Sequence, residues 1–171
     1  VIVADNTAWQ AGGIDNAYGA VLTIESSQII GNRAEPYDAG GLANFGQARV
    51  ISTTIAANSA RVGGGVDNGG SSCCLPVALS IEASTVAANT ATYGGGIANR
   101  GPLTLLNTTI SGNAATKVGG GVLTTVAAVD VRSTTITANS SPLGAGIHNG
   151  AYEGLGVPGT VSIRDTIVAG N

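Results

Sequence analysis

The sequence is poor in charge and in aromatic residues, and it contains no methionine. Charged residues make up 10% of the 171 residues and aromatic residues 4%, whereas a typical globular domain carries about a quarter charged residues. Intrinsic disorder is excluded, because 43% of the residues are hydrophobic and a disordered chain needs the opposite balance. The net charge is −3 without a basic cluster, so we expect no nucleic-acid partner.

Long apolar runs are also missing. No run approaches the ~18 residues that a membrane-crossing helix needs, so we expect no membrane span. The chain begins at Val1, without an initiator methionine or a signal peptide, so we expect a processed product or a fragment.

Cysteine is limited to the adjacent pair Cys73 and Cys74, which cannot form a framework of disulfides. Neighbouring Cα atoms are about 3.8 Å apart, below the roughly 4.4–6.8 Å usual for a disulfide. A strained vicinal disulfide, two free thiols and intermolecular bridges therefore all stay open. Two thiolates alone do not complete a structural zinc site, and we expect no metal and no cofactor.

Glycine, by contrast, is abundant, with 27 residues placed in an internal repeat. Apolar segments end at an asparagine, and the intervals between these asparagines are 26, 26, 31, 24, 26 and 32 residues. The asparagines are Asn6, Asn32, Asn58, Asn89, Asn113, Asn139 and Asn171. Six complete repeats after one partial strand predict a single domain over residues 1–171.

Each repeat contains three short segments with alternating apolar residues: a glycine strand after Gly-Gly, a middle strand, and an asparagine strand that ends at the asparagine. Period-2 alternation rich in Val, Ile and Thr predicts strands. Stacked at ~4.8 Å, the repeats form an all-β, right-handed parallel β-solenoid about 30 Å long. We therefore expect three short strands per coil, about six coils and no evident caps. Five isoleucines at inward-facing positions of the glycine and asparagine strands should be buried in the bore: Ile14, Ile55, Ile97, Ile110 and Ile136.

Asparagine at a corner tolerates left-handed backbone angles, and stacked asparagine side chains can hydrogen-bond to one another. We predict a structural ladder formed by Asn32, Asn58, Asn89, Asn113 and Asn139. A second column follows the glycine strands and contains Asn16, Asn44, Asn68, Asn99 and Asn149, with Thr124 in the remaining coil.

The segments "GGGI" and "GGGV", paired with "TISGN" and "TIAAN", resemble the GGAI and FxxN motifs of the polymorphic outer-membrane-protein repeats. More broadly they are similar to right-handed β-helix, pectin-lyase-like surface proteins of bacteria. The resemblance spans nearly the whole chain, but Ile or Val stands where the family has Phe, and no autotransporter barrel follows. It implies an extracellular or cell-surface location in a bacterium. It also implies adhesins, surface fibres and, less often, polysaccharide-degrading enzymes.

The acidic residues do not converge in the predicted fold. Acid–base catalysis or calcium binding requires carboxylates within a few Å of one another, and the alternation separates Asp15 from Asp67 by two coils. We interpret Asp67 as a surface charge and expect no enzyme activity.

The remaining charged and titratable candidates are interpreted as surface residues. Asp130, Arg132 and Arg164 are expected to form a surface ion-pair cluster. His148, the only histidine, has no acidic neighbour in its column and is interpreted as an exposed residue.

Two aromatic residues should lie at one corner of successive coils, because Trp9 and Tyr37 each precede the apolar residue of the next glycine strand by five positions. Aromatic rings beside Glu35 and Asp38 could stack on sugars, so surface glycans are a candidate partner. The alternative is that the rings shield the corner from solvent.

An uncharged wall is predicted on the outer face of the asparagine strands. Simple β-propensity accounts for threonine there, while a packing surface between molecules and an ice-binding face are the functional alternatives. Its leading positions are Thr54, Thr85, Thr109 and Thr135.

Both ends of the chain, "VIVADN" and "DTIVAGN", lie inside the repeat pattern. An uncapped solenoid exposes strand edges and apolar bore, so we expect head-to-tail self-association, or a place inside a longer stalk if the chain is a fragment. The leading hypothesis is an extracellular structural protein, either a fibre subunit or an adhesin stalk. An ice- or carbohydrate-binding module is the alternative, and a polysaccharide lyase or hydrolase is a third.

Overall fold

The chain folds into stacked coils of parallel β-strands. The structure is a computed structural model that describes residues 1–69, 76–151 and 157–171. These residues form twenty-four strands in four sheets and contain no helix. The all-β parallel solenoid predicted from the repeat is therefore confirmed.

The strands are numbered in chain order. The asparagine sheet consists of β1 Ile2–Ala4, β5 Gln28–Ile30, β9 Thr54–Ala56, β13 Thr85–Ala87, β17 Thr109–Ser111, β21 Thr135–Thr137 and β24 Ile167–Ala169. The outer sheet consists of β2 Thr7–Ala8, β6 Arg33–Ala34, β10 Ser59–Val62, β14 Thr90–Tyr93 and β18 Ala114–Val118. The glycine sheet consists of β3 Ile14–Asn16, β7 Leu42–Asn44, β11 Val66–Asn68, β15 Ile97–Asn99, β19 Val122–Thr124 and β22 Ile147–Asn149. The middle sheet consists of β4 Val21–Glu25, β8 Gln47–Ile51, β12 Ala78–Glu82, β16 Leu103–Leu106, β20 Ala128–Arg132 and β23 Thr160–Arg164.

In the first five coils the chain passes through the asparagine, outer, glycine and middle sheets in that order, and each coil pairs with the next. In the sixth coil, isolated bridges from Ser140 and Leu143 to β18 stand in place of an outer strand. Val86, for example, pairs with Ile55 on one side and Ile110 on the other. Because the side-chain period of a strand is two, this constant register keeps equivalent residues on the same face in every coil.

The bore lies between the asparagine, glycine and middle sheets, and it is filled by stacked Ile, Val and Leu. Ile55, Ile97, Ile110 and Ile136 are fully buried, as predicted, while Ile14 is only partly buried. Burial of each such side chain stabilises the fold by about 1.5–3 kcal/mol.

The coil has four strands, one more than the alternation predicts. The additional strand follows the asparagine and forms the outer sheet. One of its buried columns consists of alanines, since Ala34, Ala91 and Ala115 are 0–7% exposed. Alanine contributes little hydrophobic contrast, so the alternation that marks the other strands is weak here.

The outer sheet packs on the face of the glycine sheet that points away from the bore. Val62 and Tyr93 from the outer sheet form a second hydrophobic cluster with Ala98 and Leu123 from the glycine sheet. A face predicted to be at the surface is therefore covered over several coils, and the interpretation of Asp67 as a surface charge is wrong.

Candidate functional site

The predicted asparagine ladder is present and extends over seven coils. The Nδ2 amide of each asparagine donates to Oδ1 of the equivalent asparagine in the next coil at 2.8–3.0 Å, from Asn6 through to Asn171. The same Oδ1 atoms accept the backbone N–H of the preceding asparagine at 2.9–3.1 Å.

Each ladder amide is also anchored to the neighbouring asparagine strand. Asn113, for example, donates through Nδ2 to the carbonyl of Val86 at 2.9 Å and to Asn139 at 2.9 Å, and its Oδ1 accepts two bonds from Asn89. Asn113 is fully buried. Its burial costs little because all of its hydrogen-bonding capacity is used.

The glycine pairs belong to the same corner as the ladder. A Cβ added to Gly96 would lie 3.0 Å from the side chain of Asn113, and one added to Gly95 would lie 2.5 Å from the carbonyl oxygen of Ala114. The chain therefore needs glycine here because two coils approach more closely than a side chain allows.

The second column also forms a ladder, but it ends before Asn149. Nδ2 of Asn16, Asn44 and Asn68 each donates to Oδ1 of the next asparagine at 2.6–2.8 Å. Asn99 then donates to the hydroxyl of Thr124 at 3.1 Å. Asn149 lies in the register of this column, but its side chain bonds to the backbone of Gly159 instead.

A hydroxyl ladder that the sequence analysis did not predict runs along the corner between the middle and asparagine sheets. Each hydroxyl donates to the backbone carbonyl two residues earlier, as Thr53 does to Ile51 at 2.8 Å. Several hydroxyls also accept a backbone N–H from the previous coil, as Ser84 does from Thr53 at 3.0 Å. The signal for this ladder was a Ser or Thr at a constant five residues before the asparagine.

The most perturbed ionisable group is Asp67, in the glycine sheet beneath the outer sheet. It is fully buried, and Nη2 of Arg100 lies 2.9 Å from its Oδ1 and 2.7 Å from its Oδ2. Burial raises the pKa of Asp67 to about 7; Arg100 opposes the shift, and Asp38 adds to it.

The charged groups around Asp67 are paired with one another. Asp38, the other carboxylate that acts on it, is itself paired with Arg61 at 3.3 Å. A substrate cannot reach a carboxylate that is fully buried, so the described residues give Asp67 a structural role.

Most of the charged residues on the middle sheet form ion pairs. Asp130 bonds to Arg132 and lies 3.6 Å from Arg164, as expected for an ion-pair cluster. The hydrogen bond from Arg132 lowers the pKa of the Asp130 carboxyl. Arg49 and Glu82 form a further two-point ion pair across two coils.

The threonine wall has the geometry that the alternation predicts. Thr54, Thr85, Thr109 and Thr135 are paired in register on four consecutive strands of the asparagine sheet. All four are half-buried. The wall is therefore an uncharged face on which the four threonines are aligned in register.

The two corner aromatics lie on neighbouring coils, as expected, since the backbone N–H of Tyr37 donates to the carbonyl of Trp9 at 3.2 Å. Trp9 is 76% exposed and Tyr37 50%. Beside Pro36 an open groove of about 630 Å³ runs over the outer sheet, and its polar lining includes Arg33, Glu35, Arg61, Thr90 and Thr92.

The cysteine pair, Cys73 and Cys74, lies outside the described residues. Among residues 1–69, 76–151 and 157–171, no group of three or more His, Cys, Asp or Glu side chains is placed to hold a metal ion. The same residues contain no helix of the length and apolarity needed to cross a membrane.

The comparisons with known proteins found no match. No protein-family model matches the chain, and no match was found among curated proteins or solved structures.

Proposed function

We propose that this chain is a rigid, non-enzymatic solenoid segment of an extracellular protein, acting as a stalk or as part of a fibre. The observation that supports the proposal is the continuous asparagine ladder, in which six successive side-chain bonds run along the solenoid axis. Together with the parallel sheets, whose hydrogen bonds point the same way, the ladder resists both bending and extension along the axis.

The use of the polar residues supports a structural role as well. The buried asparagines in both ladders bond to the adjacent coils, and the buried Asp67 bonds to Arg100. These groups are buried and already bonded within the protein, so they are not presented to a ligand.

Self-association is part of this proposal. Successive coils are equivalent in register, so a second copy can in principle continue the sheets, and such a heterologous contact propagates without closing. The threonine wall offers a second, lateral contact, because it is uncharged and in register over four strands.

Electron microscopy of the native assembly and sedimentation of the purified chain test the proposal. Rods or fibres whose thickness matches one solenoid, or a lateral multiple of it, are the expected result. Compact particles with catalytic turnover of pectate, polygalacturonate or alginate would contradict it.

The Thr109→Lys variant separates the two roles of the threonine wall. If the wall packs against another molecule, lysine should weaken lateral association. If it binds ice, lysine should abolish thermal hysteresis, and association should be unchanged. Thr104→Lys, on the outer face of the middle sheet, is the control.

Carbohydrate binding is a second candidate function, favoured by the exposed pair Trp9 and Tyr37 beside the polar groove on the outer sheet. Stacking on aromatic faces and hydrogen bonds from Arg and Thr are suited to a glycan surface. Affinity electrophoresis in polysaccharide gels should show retardation that Trp9→Ala removes. Tyr18→Ala, which changes an exposed ring stacked on Phe45 at another corner, should have no effect.

A further inference from the structure

Two asparagines of the glycine sheet, Asn68 and Asn149, are followed directly by glycine. Their burial in the structure differs. Asn68 is fully buried in the second ladder, whereas Asn149 is exposed. An Asn-Gly pair is chemically special, because the backbone nitrogen of the glycine can attack the side-chain carbonyl carbon of the asparagine. Glycine favours this attack, since it has no Cβ to block the approach.

The side-chain carbonyl of Asn149 is polarised by a backbone donor. The N–H of Gly159 donates to Oδ1 at 2.8 Å, while Nδ2 donates to the carbonyl of Gly159 at 2.9 Å. When a nucleophile adds to this carbonyl, negative charge develops on Oδ1, where the Gly159 N–H already points. A fixed donor at that position stabilises the tetrahedral intermediate.

An imidazole lies beside Gly150, the residue whose nitrogen attacks. A Cβ added to Gly150 would lie 2.9 Å from Nε2 of His148, so the imidazole packs against this glycine. Histidine is the side chain best suited to general base catalysis near neutral pH. His148 is also the only histidine in the chain.

We propose that Asn149 is a site of self-catalysed deamidation, with His148 as the catalytic base. The imidazole removes the proton from the Gly150 nitrogen, which forms a bond to Cγ of Asn149. The Cγ–Nδ2 bond breaks, and Nδ2 leaves as ammonia after accepting the proton from the imidazolium. Water then opens the resulting cyclic imide and leaves aspartate or isoaspartate at position 149.

One native contact must open before the reaction. The N–H of Gly150 donates to the carbonyl of Thr124 at 3.1 Å, and it has to leave this partner to attack. The reaction is therefore a slow, single event in each molecule.

Asn68 differs from Asn149 in two of these features, because it is fully buried and the chain has no second histidine to act as its base. Its Oδ1 accepts from Asn44 at 2.8 Å, its Nδ2 donates to Asn99 at 2.6 Å, and both bonds belong to the buried ladder. The N–H of Gly69 donates to the carbonyl of Asn44 at 2.9 Å. The same dipeptide in the same chain is thus a built-in control.

Deamidation would change the structure locally. A carboxylate at position 149 cannot donate to the carbonyl of Gly159, so one of the two bonds between these residues is lost and a negative charge is gained. These bonds join the end of the glycine strand to the start of the next middle strand. The modification therefore loosens the connection between two sheets of one coil.

The test is to incubate the intact protein at neutral to mildly alkaline pH and to follow both asparagines by peptide mapping and mass spectrometry. We expect conversion at Asn149 and none at Asn68. His148→Gln should slow conversion of the folded protein roughly a hundredfold. A synthetic peptide covering residues 146–151 gives the rate without the fold.

The controls make each outcome decisive. Circular dichroism checks that the His148→Gln variant is folded, and continued protection of Asn68 confirms it. The proposal is overturned if Asn149 stays intact while the peptide converts, or if Asn68 converts at the same rate. It is also overturned if His148→Gln slows the peptide as much as the protein, because the fold would then play no part in placing the base.

Discussion

At the scale of single residues, a ladder asparagine makes four side-chain hydrogen bonds. The drop in the free energy of unfolding when these bonds are removed measures what the asparagine contributes to stability. Asn113→Ala would leave the two donors of Asn89 and the carbonyl of Val86 without partners inside the protein. Each buried group left unsatisfied costs about 1–3 kcal/mol, so the free energy of unfolding should fall by at least roughly 3 kcal/mol.

Urea unfolding measures the effect of Asn113→Ala, and Asn107→Ala is the matched control. Asn107 is an exposed asparagine in the same coil, and Ala83 occupies its position in the preceding coil with the same positive φ. Equal losses for the two variants would show that the ladder contributes no more than a surface asparagine.

Also at this scale, the buried carboxyl of Asp67 should make the stability depend on pH. Its pKa is raised to about 7 in the folded protein from 3.8, so between these values the folded state binds more protons than the unfolded state. The contribution of Asp67 to stability is therefore fully present below about pH 4 and is lost as pH rises towards about 7.

Asp67→Asn should remove this dependence, because an amide keeps the shape of the side chain without a charge to bury. Urea midpoints measured from acidic to mildly alkaline pH should become flatter than those of the unsubstituted protein. Asp15→Asn, at the exposed equivalent position of an earlier coil, should leave the pH profile as it was. A steep profile that persists in Asp67→Asn would assign the pH dependence to other groups.

At the scale of the structural element, the glycines of one repeat are not equivalent. Gly95→Ala places a Cβ 2.5 Å from a backbone oxygen of the next coil, and Gly112→Ala places one in open space, although at a φ of 64°. Alanine already occupies the Gly112 position in other coils, as Ala57, Ala88 and Ala138 with φ of 54–56°.

We therefore expect Gly112→Ala to cost about 1 kcal/mol and Gly95→Ala to cost several times more, because two packed backbones would have to separate. Thermal unfolding of the two variants measures the difference. A small effect at Gly95 would mean that the coils can separate there without loss of packing.

At the scale of the whole molecule, one bore shared by all coils predicts cooperative loss of structure. Ile110 is fully buried among the stacked Ile, Val and Leu, so Ile110→Asp would place an unpaired charge in an apolar column and should prevent folding. The next residue, Ser111, points to the outer face and is half-buried. Circular dichroism should show strand signal for Ser111→Asp and none for Ile110→Asp; strand signal in both variants would contradict a continuous bore.

The sequence by itself determined the repeat, the three strands that line the bore and the two asparagine columns. These are local signals: alternation of Ile and Val such as Ile55 and Ile110 has a period of two, and the distance from each strand to its asparagine is constant. Parallel stacking keeps those distances in register, so the columns follow from the spacing alone.

The tertiary structure alone decided the outer sheet and what lies beneath it. Alanines such as Ala91 carry too little hydrophobic contrast to mark a strand, and nothing near Asp67 in the chain indicates that Val62 and Tyr93 cover its sheet. The contact of His148 with Gly150 and the bonds from Asn149 to Gly159 likewise depend on how the backbone turns after β22. Burial and side-chain contacts arise from packing between elements. They cannot be read from the period of the apolar alternation or from the spacing of residues along the sequence.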